Sequence, residues 1–411
     1  MTSRILTLIL VSVSWAKTTD SEHNLLEDPL GHDPELQVVH LYEDEWPTGI
    51  AVSKSGRKFS CYPSGIDSAN TYTGSNNVYQ VAELTGFDTE TAYPNASLSQ
   101  PPGGAIVRGK APVTKGLSNY FLSVQSVVID FDDVLWLLDT GRVTDPVTST
   151  RLLASPGGTK LISIDLSTDD VTKTYLFPTA VAKPRSYFND VRFDTGRRYA
   201  YITDSGEEEN ALVVLNLVTG ESWRALAGDR TVISIFGTVP FVAGEPLYDG
   251  KTLGFITNGV DGIALSPKLD TLYYTSIAGR FLYSIPTALL RNRTSNNVLA
   301  AAIRVLSEVG ISDGLATDSN GVVYAGNAEQ CGVSMFDPDT GMVVLFVRDK
   351  RILWVDTFSV GADGYLYFTS NQVNYLEEFY PGEGVPRDRR ERPFVLFRAK
   401  LPRAATKGPG S

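Results

Sequence analysis

Short hydrophobic runs separated by turn residues dominate the sequence. Most runs are rich in β-branched and aromatic side chains and are bounded by Gly, Asp, Asn or Pro. This pattern predicts β-strands joined by tight turns. A helical periodicity is confined to residues 298–310, which fit either a helix or a buried strand followed by a turn. The pattern therefore predicts an all-β fold.

One strand–turn–strand unit recurs along the chain. Each copy has a small or polar residue, a short apolar run, a turn and an aromatic-rich strand. The copies begin at Gly49, Ser126, Asp190, Gly262, Gly314 and Thr357. Each copy is typical of a hairpin, and two further strands in each interval, such as 159–168 and 171–178, complete a four-stranded unit.

Six four-stranded units predict a six-bladed β-propeller with a central channel over residues 36–400, because radial repetition leaves only short exposed edges. The alternating segment 36–42 is expected to pair with the last blade and close the ring. A pair of β-sandwiches is the alternative arrangement of the same strands. Residues 401–411 are expected to form a disordered tail.

The amino terminus has the features of a secretory signal peptide. Arg4 precedes an apolar run over residues 5–13, and small residues occupy the two positions that a signal peptidase requires, so residues 1–16 are expected to be removed. A signal anchor is the alternative, although the run is short for a membrane span. Asn95 and Asn292 begin Asn-x-Ser/Thr sequons and are the predicted glycosylation sites. These features predict a secreted protein without a membrane span.

Charge and cysteine content restrict the partners and the covalent framework. The 36 Lys and Arg against 47 Asp and Glu give a net charge of −11, which argues against a protein that binds nucleic-acid phosphates. Only Cys61 and Cys331 are present, so the core must hold the fold together. The two cysteines fit either one long-range disulfide or two separate thiols.

The scarcity of histidine restricts the chemistry. The three histidines, His23, His32 and His40, all precede the first repeat. A Ser-His-Asp or Cys-His mechanism requires an imidazole beside the nucleophile, and His-ligated metal centres require imidazole ligands. No Gly-rich phosphate loop or dinucleotide fingerprint occurs either. Acyl transfer by a histidine-activated nucleophile is therefore not expected.

Six segments carry a family resemblance. They are SVQSVVIDFDDVLWLLDTG (123–141), SYFNDVRFDTGRRYAYITDSG (186–206), ESWR (221–224), NGVDGIALSPKLDTLYY (258–274), SDGLATDSNGVVYAGN (312–327) and GADGYLYFTSNQ (361–372). They resemble the Yellow/major royal jelly protein family, especially its microbial and fungal branch. The resemblance implies a secreted six-bladed propeller with a ligand pocket at one mouth of the channel. It also implies a likeness to fungal propellers associated with hetero-Diels–Alder reactions that join a tropolone quinone methide to humulene.

A more distant resemblance to gluconolactonase-like propellers, which are calcium-assisted hydrolases, implies a site of oxygen ligands. Asn189 and Asp313 match ligand positions of that motif. Its first-blade glutamate has only a loose counterpart in residues 45–48, and Gln125 replaces a ligand in the second blade. We therefore expect no cofactor, with calcium at Asn189 and Asp313 as the alternative.

Residues just before each innermost strand are expected to ring the channel mouth. The predicted catalytic residues are Gln125, Asn189, Asp313 and Asp356. The predicted substrate-binding residues, whose aromatic members would form an apolar wall, are Trp46, Thr48, Tyr187, Phe188, Asp261 and Trp354. Packing between blades is the alternative for each aromatic residue. Arg142 and Arg185 lie in neighbouring loops and either donate to an oxyanion or remain on the surface.

A site of amides, carboxylates and aromatic rings suits a reaction that needs little proton transfer. Together with the resemblance, it favours a cyclase that binds and orients two substrates for an intermolecular hetero-Diels–Alder cycloaddition. A non-catalytic small-molecule carrier and a calcium-dependent lactonase are the alternatives. The expected partner is a small-molecule substrate or ligand rather than nucleic acid, and the sequence leaves the oligomeric state open.

Overall fold

The computed structural model describes residues 36–194, 198–379 and 384–409, with only the backbone of Arg403. The predicted signal peptide, His23 and His32 lie outside these residues. Within them the chain forms six four-stranded antiparallel sheets and three small hairpins, each with two strands of two residues.

The first three sheets follow one another in chain order as blades 1 to 3. From the innermost strand outwards, blade 1 is Ile50–Val52, Lys58–Cys61, Val81–Leu84 and Glu90–Ala92; blade 2 is Val124–Ile129, Val134–Asp139, Lys160–Asp165 and Asp170–Leu176; blade 3 is Phe188–Phe193, Tyr199–Asp204, Ala211–Asn216 and Ser222–Ala225. Every innermost strand begins at or close to a repeat that the sequence identifies.

Blades 4 to 6 complete the ring. Blade 4 is Val260–Leu265, Thr271–Ser276, Phe281–Pro286 and Arg304–Glu308; blade 5 is Leu315–Thr317, Val323–Asn327, Gly332–Asp337 and Met342–Arg348; blade 6 is Val355–Val360, Tyr365–Ser370, Phe394–Lys400 and the amino-terminal Gln37–Tyr42. Because the first strand pairs with the last, the ring is closed as predicted. The six-bladed β-propeller is therefore confirmed.

Helices are few. Segment 298–310 contains a helix and a strand, since helix Asn296–Ala302 is followed by the outer strand Arg304–Glu308, although that strand is not buried as expected. A second short helix spans Thr287–Arg291. The remaining helical turns are Ser68–Asn70, Ala96–Ser99, Ala328–Gln330, Val373–Tyr375, Glu377–Phe379 and Pro402–Ala404. Among the described residues, no helix combines the length and apolarity of a membrane-spanning segment.

The hydrophobic core lies between neighbouring blades. Alternate side chains of a strand point to opposite faces of its sheet. In the second strand of blade 2, Leu135 and Leu137 pack towards blade 1, whereas Trp136 and Leu138 pack towards blade 3. This two-sided burial explains why the strands are nearly continuous hydrophobic runs.

Asp139 and Asp204 end the second strands of blades 2 and 3, and both are fully buried. Asp139 accepts backbone N–H groups of Leu122 and Ser123 at 2.8 and 3.0 Å and a side-chain bond from Lys160. Asp204 accepts the backbone N–H of Tyr187 at 2.8 Å in the same way. These aspartates therefore fasten the loop before each innermost strand.

The carboxyl-terminal segment is ordered, which corrects the expectation of a disordered tail for residues 401–409. Leu401 and Ala405 are buried against blades 5 and 6. Lys407 forms a β-bridge with Asp318, and its Nζ donates to the carbonyl of Ile129 at 2.7 Å. Lys407 also lines a cavity of about 20 Å³ with Arg192 and residues of four innermost strands. The segment thus closes the end of the channel opposite the mouth.

The two cysteines are not joined to each other, so the disulfide alternative is wrong. Cys61 is buried in blade 1, where its thiol donates to the carbonyl of Gln125 at 3.2 Å. Cys331 lies in blade 5, directly after the turn Ala328–Gln330. The predicted glycosylation residues Asn95 and Asn292 are both exposed, and their modification remains a prediction.

Candidate functional site

Two adjoining cavities lie at one mouth of the channel. The inner cavity, of about 50 Å³, is lined by six of the predicted residues: Gln125, Tyr187, Asn189, Asp261, Asp313 and Asp356. The outer cavity, of about 470 Å³, has the size of a ligand site. The two share the lining residues Ile66, Arg151, Ser205, Asn258, Glu378 and Phe379. A ligand in the outer cavity can therefore project one group onto the inner floor.

Irregularities in the innermost strands coincide with the polar floor residues. The pairing register shifts between Val124 and Ser126, between Phe188 and Val191, between Val260 and Ile263, and between Val355 and Phe358. Gln125, Asn189, Asp261 and Asp356 lie within these shifts. A β-bulge re-aims side chains at the end of a ladder and is common beside active sites. The bulges therefore explain how hydrophobic strands present amide and carboxylate groups to the channel.

Two glycines let the floor strands approach one another. A Cβ at Gly262 would lie 2.2 Å from the carbonyl oxygen of Asp313, and a Cβ at Gly314 would lie 2.2 Å from that of Asp356. Either contact would force the backbone to shift, so glycine is the residue that fits both positions. The Asp-Gly pairs of blades 4 and 5 thereby bring carboxylates from three consecutive blades together.

Asp261 and Asp313 form a hydrogen-bonded carboxyl pair on the floor. Asn189 donates its amide N–H to Oδ2 of Asp261 and to the hydroxyl of Ser205. Trp354 donates its indole N–H to Oδ2 of Asp313 at 2.6 Å. Two carboxyl groups in direct contact must share a proton, so the floor carries at least one carboxylic acid.

Burial makes this floor weakly acidic. Burial raises the pKa of Asp313 to about 7, although hydrogen bonds from Trp354 and Asp261 act to lower it. Burial, followed by repulsion from Asp313 and Asp356, raises the pKa of Asp261 well above its ordinary value. Burial also raises the pKa of Asp356, which accepts a bond of 2.7 Å from Asn371. Near neutral pH the floor is therefore able to donate as well as accept hydrogen bonds.

Gln125 and Tyr187 form the opposite side of the inner cavity. The Tyr187 hydroxyl donates to Oε1 of Gln125 at 2.7 Å, and burial raises the pKa of that hydroxyl. The guanidinium group of Arg151 lies over the Tyr187 ring, 4.7 Å from its centre. Below the floor, Arg192 pairs with Asp190 at 2.6 Å and donates to the carbonyl of Leu315 at 2.7 Å. The contacts from Gln125 and Arg151 thus hold the Tyr187 ring in a fixed orientation.

Four predicted substrate-binding residues do not line either cavity. Phe188 packs between blades against Phe177, because it alternates with Tyr187 and Asn189 along the strand. Trp46 is fully buried and donates to the carbonyl of Asn371 at 2.7 Å. Thr48 donates to the carbonyl of Gln125 at 2.8 Å. These residues support the site rather than contact a ligand, and Trp354 does so by holding Asp313.

The apolar wall instead comes from loops that the repeat pattern does not mark. Its members are Ile66, Ile277, Val373, Leu376 and Phe379. Three of them belong to the insertion between the second and third strands of blade 6, so the length of that insertion is the only sequence signal. Arg151 comes from the hairpin Thr144–Asp145/Thr150–Arg151 of blade 2, and no motif distinguished it.

The two arginines considered from the sequence have other partners. Arg142 is fully buried and donates to the carbonyls of Leu152 and Arg185 at 2.9 Å. Arg185 is largely exposed and pairs with Glu207 at 3.0 Å. His40, the one histidine among the described residues, lies in the closing strand of blade 6, 3.1 Å from Glu90. None of the three lines either cavity.

The family profile described as major royal jelly protein matches residues 122–380, which cover blades 2 to 5 and the two inner strands of blade 6. The chain belongs to the major royal jelly protein family. This confirms the family that the sequence motifs indicate.

Curated relatives of this royal jelly family propeller are distant. Protein yellow of Drosophila erecta is 27% identical over 185 residues, which cover 43% of this chain and 32% of the relative. Major royal jelly protein 3 of Apis mellifera is 25% identical over 250 residues, which cover 59% of this chain and 41% of the relative. The chain therefore spans less than half the length of these relatives.

Solved propellers share the fold. A luciferin-regenerating enzyme superposes with a TM-score of 0.51 at 10% identity, covering 91% of this chain and 97% of that structure. Regucalcin from Agrobacterium tumefaciens, described as a calcium-binding protein, gives a TM-score of 0.50 at 12% identity, covering 89% and 92%. At these identities the likeness extends to the fold alone.

The floor of this royal jelly family propeller does not fit a calcium site. Calcium takes six to eight oxygen ligands, and among the described residues no group of three or more His, Cys, Asp or Glu is placed to hold a metal ion. Asn189 directs its amide N–H at Asp261, and Asp313 is engaged by Trp354 and Asp261. The first-blade Glu45 binds the backbone N–H of Tyr79 and lies outside the inner cavity.

The arrangement defines the available chemistry. A carboxylic acid on the floor can hydrogen-bond to one oxygen of a ligand, while the apolar wall holds a hydrocarbon part against it. No imidazole from the described residues reaches either cavity. The site is therefore suited to binding, orienting and polarising a ligand.

Proposed function

We propose that this chain is a secreted cyclase of the fungal hetero-Diels–Alderase type. It would join an oxygen-containing heterodiene, such as a tropolone quinone methide, to an apolar alkene, such as humulene. The hydrogen-bonded pair of Asp261 and Asp313, which faces a cavity with an apolar wall, is the observation that carries the proposal.

The proposed reaction matches what the floor offers. An intermolecular cycloaddition forms two σ bonds from π electrons and releases no leaving group, so it needs neither a nucleophile nor an oxidant. Holding both reactants in a reactive orientation can supply up to about 7–11 kcal/mol. A hydrogen bond from protonated Asp313 to the heterodiene oxygen would stabilise charge that develops there in the transition state.

The remaining floor residues would act as positioning groups. Asp261 and Trp354 orient the Asp313 carboxyl group, and Asn189 in turn orients Asp261. Gln125 fixes the Tyr187 ring, which bounds the cavity on the opposite side. Asp356 adds a buried carboxyl group whose repulsion raises the pKa of Asp261.

The test is the rate of adduct formation with the purified full chain. A tropolone quinone-methide precursor and humulene are incubated with wild-type protein, with Asp313→Asn, and with Asp339→Asn, whose exposed aspartate lies outside both cavities. We expect wild type and Asp339→Asn to accelerate the reaction and bias its stereochemistry, and EDTA to have no effect. Saturable binding of the precursor without acceleration would instead identify a carrier. Loss of adduct formation in EDTA would contradict a reaction that needs no metal ion.

A further inference from the structure

Arg151 stands at the passage between the two cavities. It lines both of them, and its side chain is 22% exposed. Its Nε donates to the carbonyl of Gly65 at 2.6 Å, and its guanidinium plane lies over Tyr187. The side chain is therefore fixed in direction by one hydrogen bond and one ring contact.

The terminal nitrogens of Arg151 have no close acceptor among the described residues. Nη1 lies 3.9 Å from Glu207, and Nη2 lies 3.6 Å from Glu378. Both separations exceed hydrogen-bond distance, so these contacts are long-range ion pairs only. Arg142 differs, because its three nitrogens donate to two carbonyls and a carboxylate. Arg151 thus presents N–H donors to the cavity that the described protein groups leave unused.

The outer cavity is lined by five carboxylates, Glu207, Glu208, Glu209, Asp249 and Glu378, of which two are held in close ion pairs with other basic residues. Glu207 pairs with Arg142 and Arg185 at 3.2 and 3.0 Å, and Glu209 pairs with Lys183 at 2.9 Å. The floor carboxyl groups retain protons because of their burial. Glu207 and Glu378 both form long-range ion pairs with Arg151, but Glu378 has no other ion-pair partner among the described residues. An anion that approaches Arg151 would therefore compete mainly with Glu378.

We propose that the pocket takes an organic anion whose charged oxygen binds the terminal N–H groups of Arg151 while its apolar body lies against Phe379 and Leu376. A carboxylate or an enolate would meet this description. The inference rests on the proposed function only in assuming that the cavities bind a small molecule. Charge-assisted bonds from a guanidinium to an oxyanion are strong, and they are geometrically selective.

The test uses three aromatic probes of similar shape and different charge: benzoate, benzamide and benzylamine. Their dissociation constants are measured by ligand-observed NMR for wild type, Arg151→Gln, Glu378→Gln and the exposed-site variant Arg304→Gln. The last variant removes an equal charge from an arginine outside both cavities. We expect benzoate to bind about tenfold more tightly than benzamide, and Arg151→Gln to abolish that difference.

The other variants sharpen the result. Glu378→Gln should strengthen benzoate binding, and Arg304→Gln should change it by less than about twofold. Tighter binding of benzylamine than of benzoate, an unchanged benzoate affinity in Arg151→Gln, or no benzoate binding would each overturn the inference. If benzoate binding depends on Arg151 but no cycloaddition is accelerated, the anion site stands and the cyclase proposal fails.

Discussion

Trp354 donates its indole N–H to Oδ2 of Asp313 across 2.6 Å, and it does so from a backbone with a φ of +77°. A positive φ is strained for a bulky residue and persists only where the surrounding structure enforces it. The Trp354 ring also stacks on Phe379 of the apolar wall, with ring centres 5.9 Å apart. One residue thus connects the acidic floor of the inner cavity with its wall.

Replacing Trp354 by Phe should raise the pKa of Asp313. The indole hydrogen bond favours the ionised carboxylate, so its loss makes the acid weaker. A bond to a charged group contributes about 1.5–3 kcal/mol, which corresponds to one to two pKa units. The change is measured by NMR titration of the labelled aspartate carboxyl groups.

Trp223→Phe is the matched control. Trp223 also donates its indole N–H to an acceptor, the carbonyl of Leu290 at 3.0 Å, but it lies on the outer strand of blade 3. This variant should leave the Asp313 titration unchanged. An equal shift in both variants, or none in Trp354→Phe, would show that the indole does not control the acidity of Asp313.

Replacing Gly314 by Ala should disturb both stability and the site. The added Cβ would lie 2.2 Å from the Asp356 carbonyl, so the two innermost strands must separate. Overpacking of this kind costs about 1–3 kcal/mol, which urea unfolding can measure. Gly109→Ala, where no atom lies within 4 Å of the added Cβ, should be nearly neutral. Equal stability of the two variants would contradict close packing of the floor strands.

Stability should fall as pH rises between about 4 and 7. The pKa of Asp313 is raised from its ordinary 3.8 to about 7, so in this range the folded protein holds a proton that the unfolded chain releases. The stabilisation is complete below about pH 4 and is lost by about pH 7, and it amounts to at most about 4 kcal/mol. Asp313→Asn should reduce the dependence.

Thermal unfolding at pH 4, 5, 6, 7 and 8 checks this expectation. The exposed variant Asp339→Asn corrects for the removal of one negative charge. A pH dependence that is as steep in Asp313→Asn as in Asp339→Asn would mean that Asp313 is already ionised in the acidic part of the range.

Removing residues 402–411 should destabilise the propeller. The deleted segment buries Ala405 and supplies the Lys407 bond to Ile129 as well as the bonds between Thr406 and Ser319. We expect a loss of about 1–3 kcal/mol in the free energy of unfolding. A chain ending at Pro409 is the control and should match wild type. Equal stability of the two truncations would show that the segment does not close the channel.

The propeller fold could be predicted from the sequence because each repeat contains turn residues between two apolar runs, which is the local pattern of a hairpin. It placed Gln125, Asn189, Asp261, Asp313 and Asp356 on the inner cavity because they share an offset from the innermost strands, and Tyr187 as an aromatic neighbour of Asn189. It did not predict which way the neighbouring aromatic residues point, since Phe188 and Tyr187 are adjacent and face opposite sides of the sheet. Nor did it identify Arg151 or Phe379, because they reach the mouth from loops whose paths depend on tertiary packing.

The pH dependence of turnover tests the central claim most directly. If protonated Asp313 donates to the substrate oxygen, the rate constant for adduct formation at saturating substrate should fall as pH rises through about 7. Trp354→Phe should move this fall to higher pH, and Asp313→Asn should leave a slow, pH-independent rate. A wild-type rate that stays constant from pH 5 to 9, or an Asp313→Asn variant that keeps the wild-type rate and profile, would contradict the account.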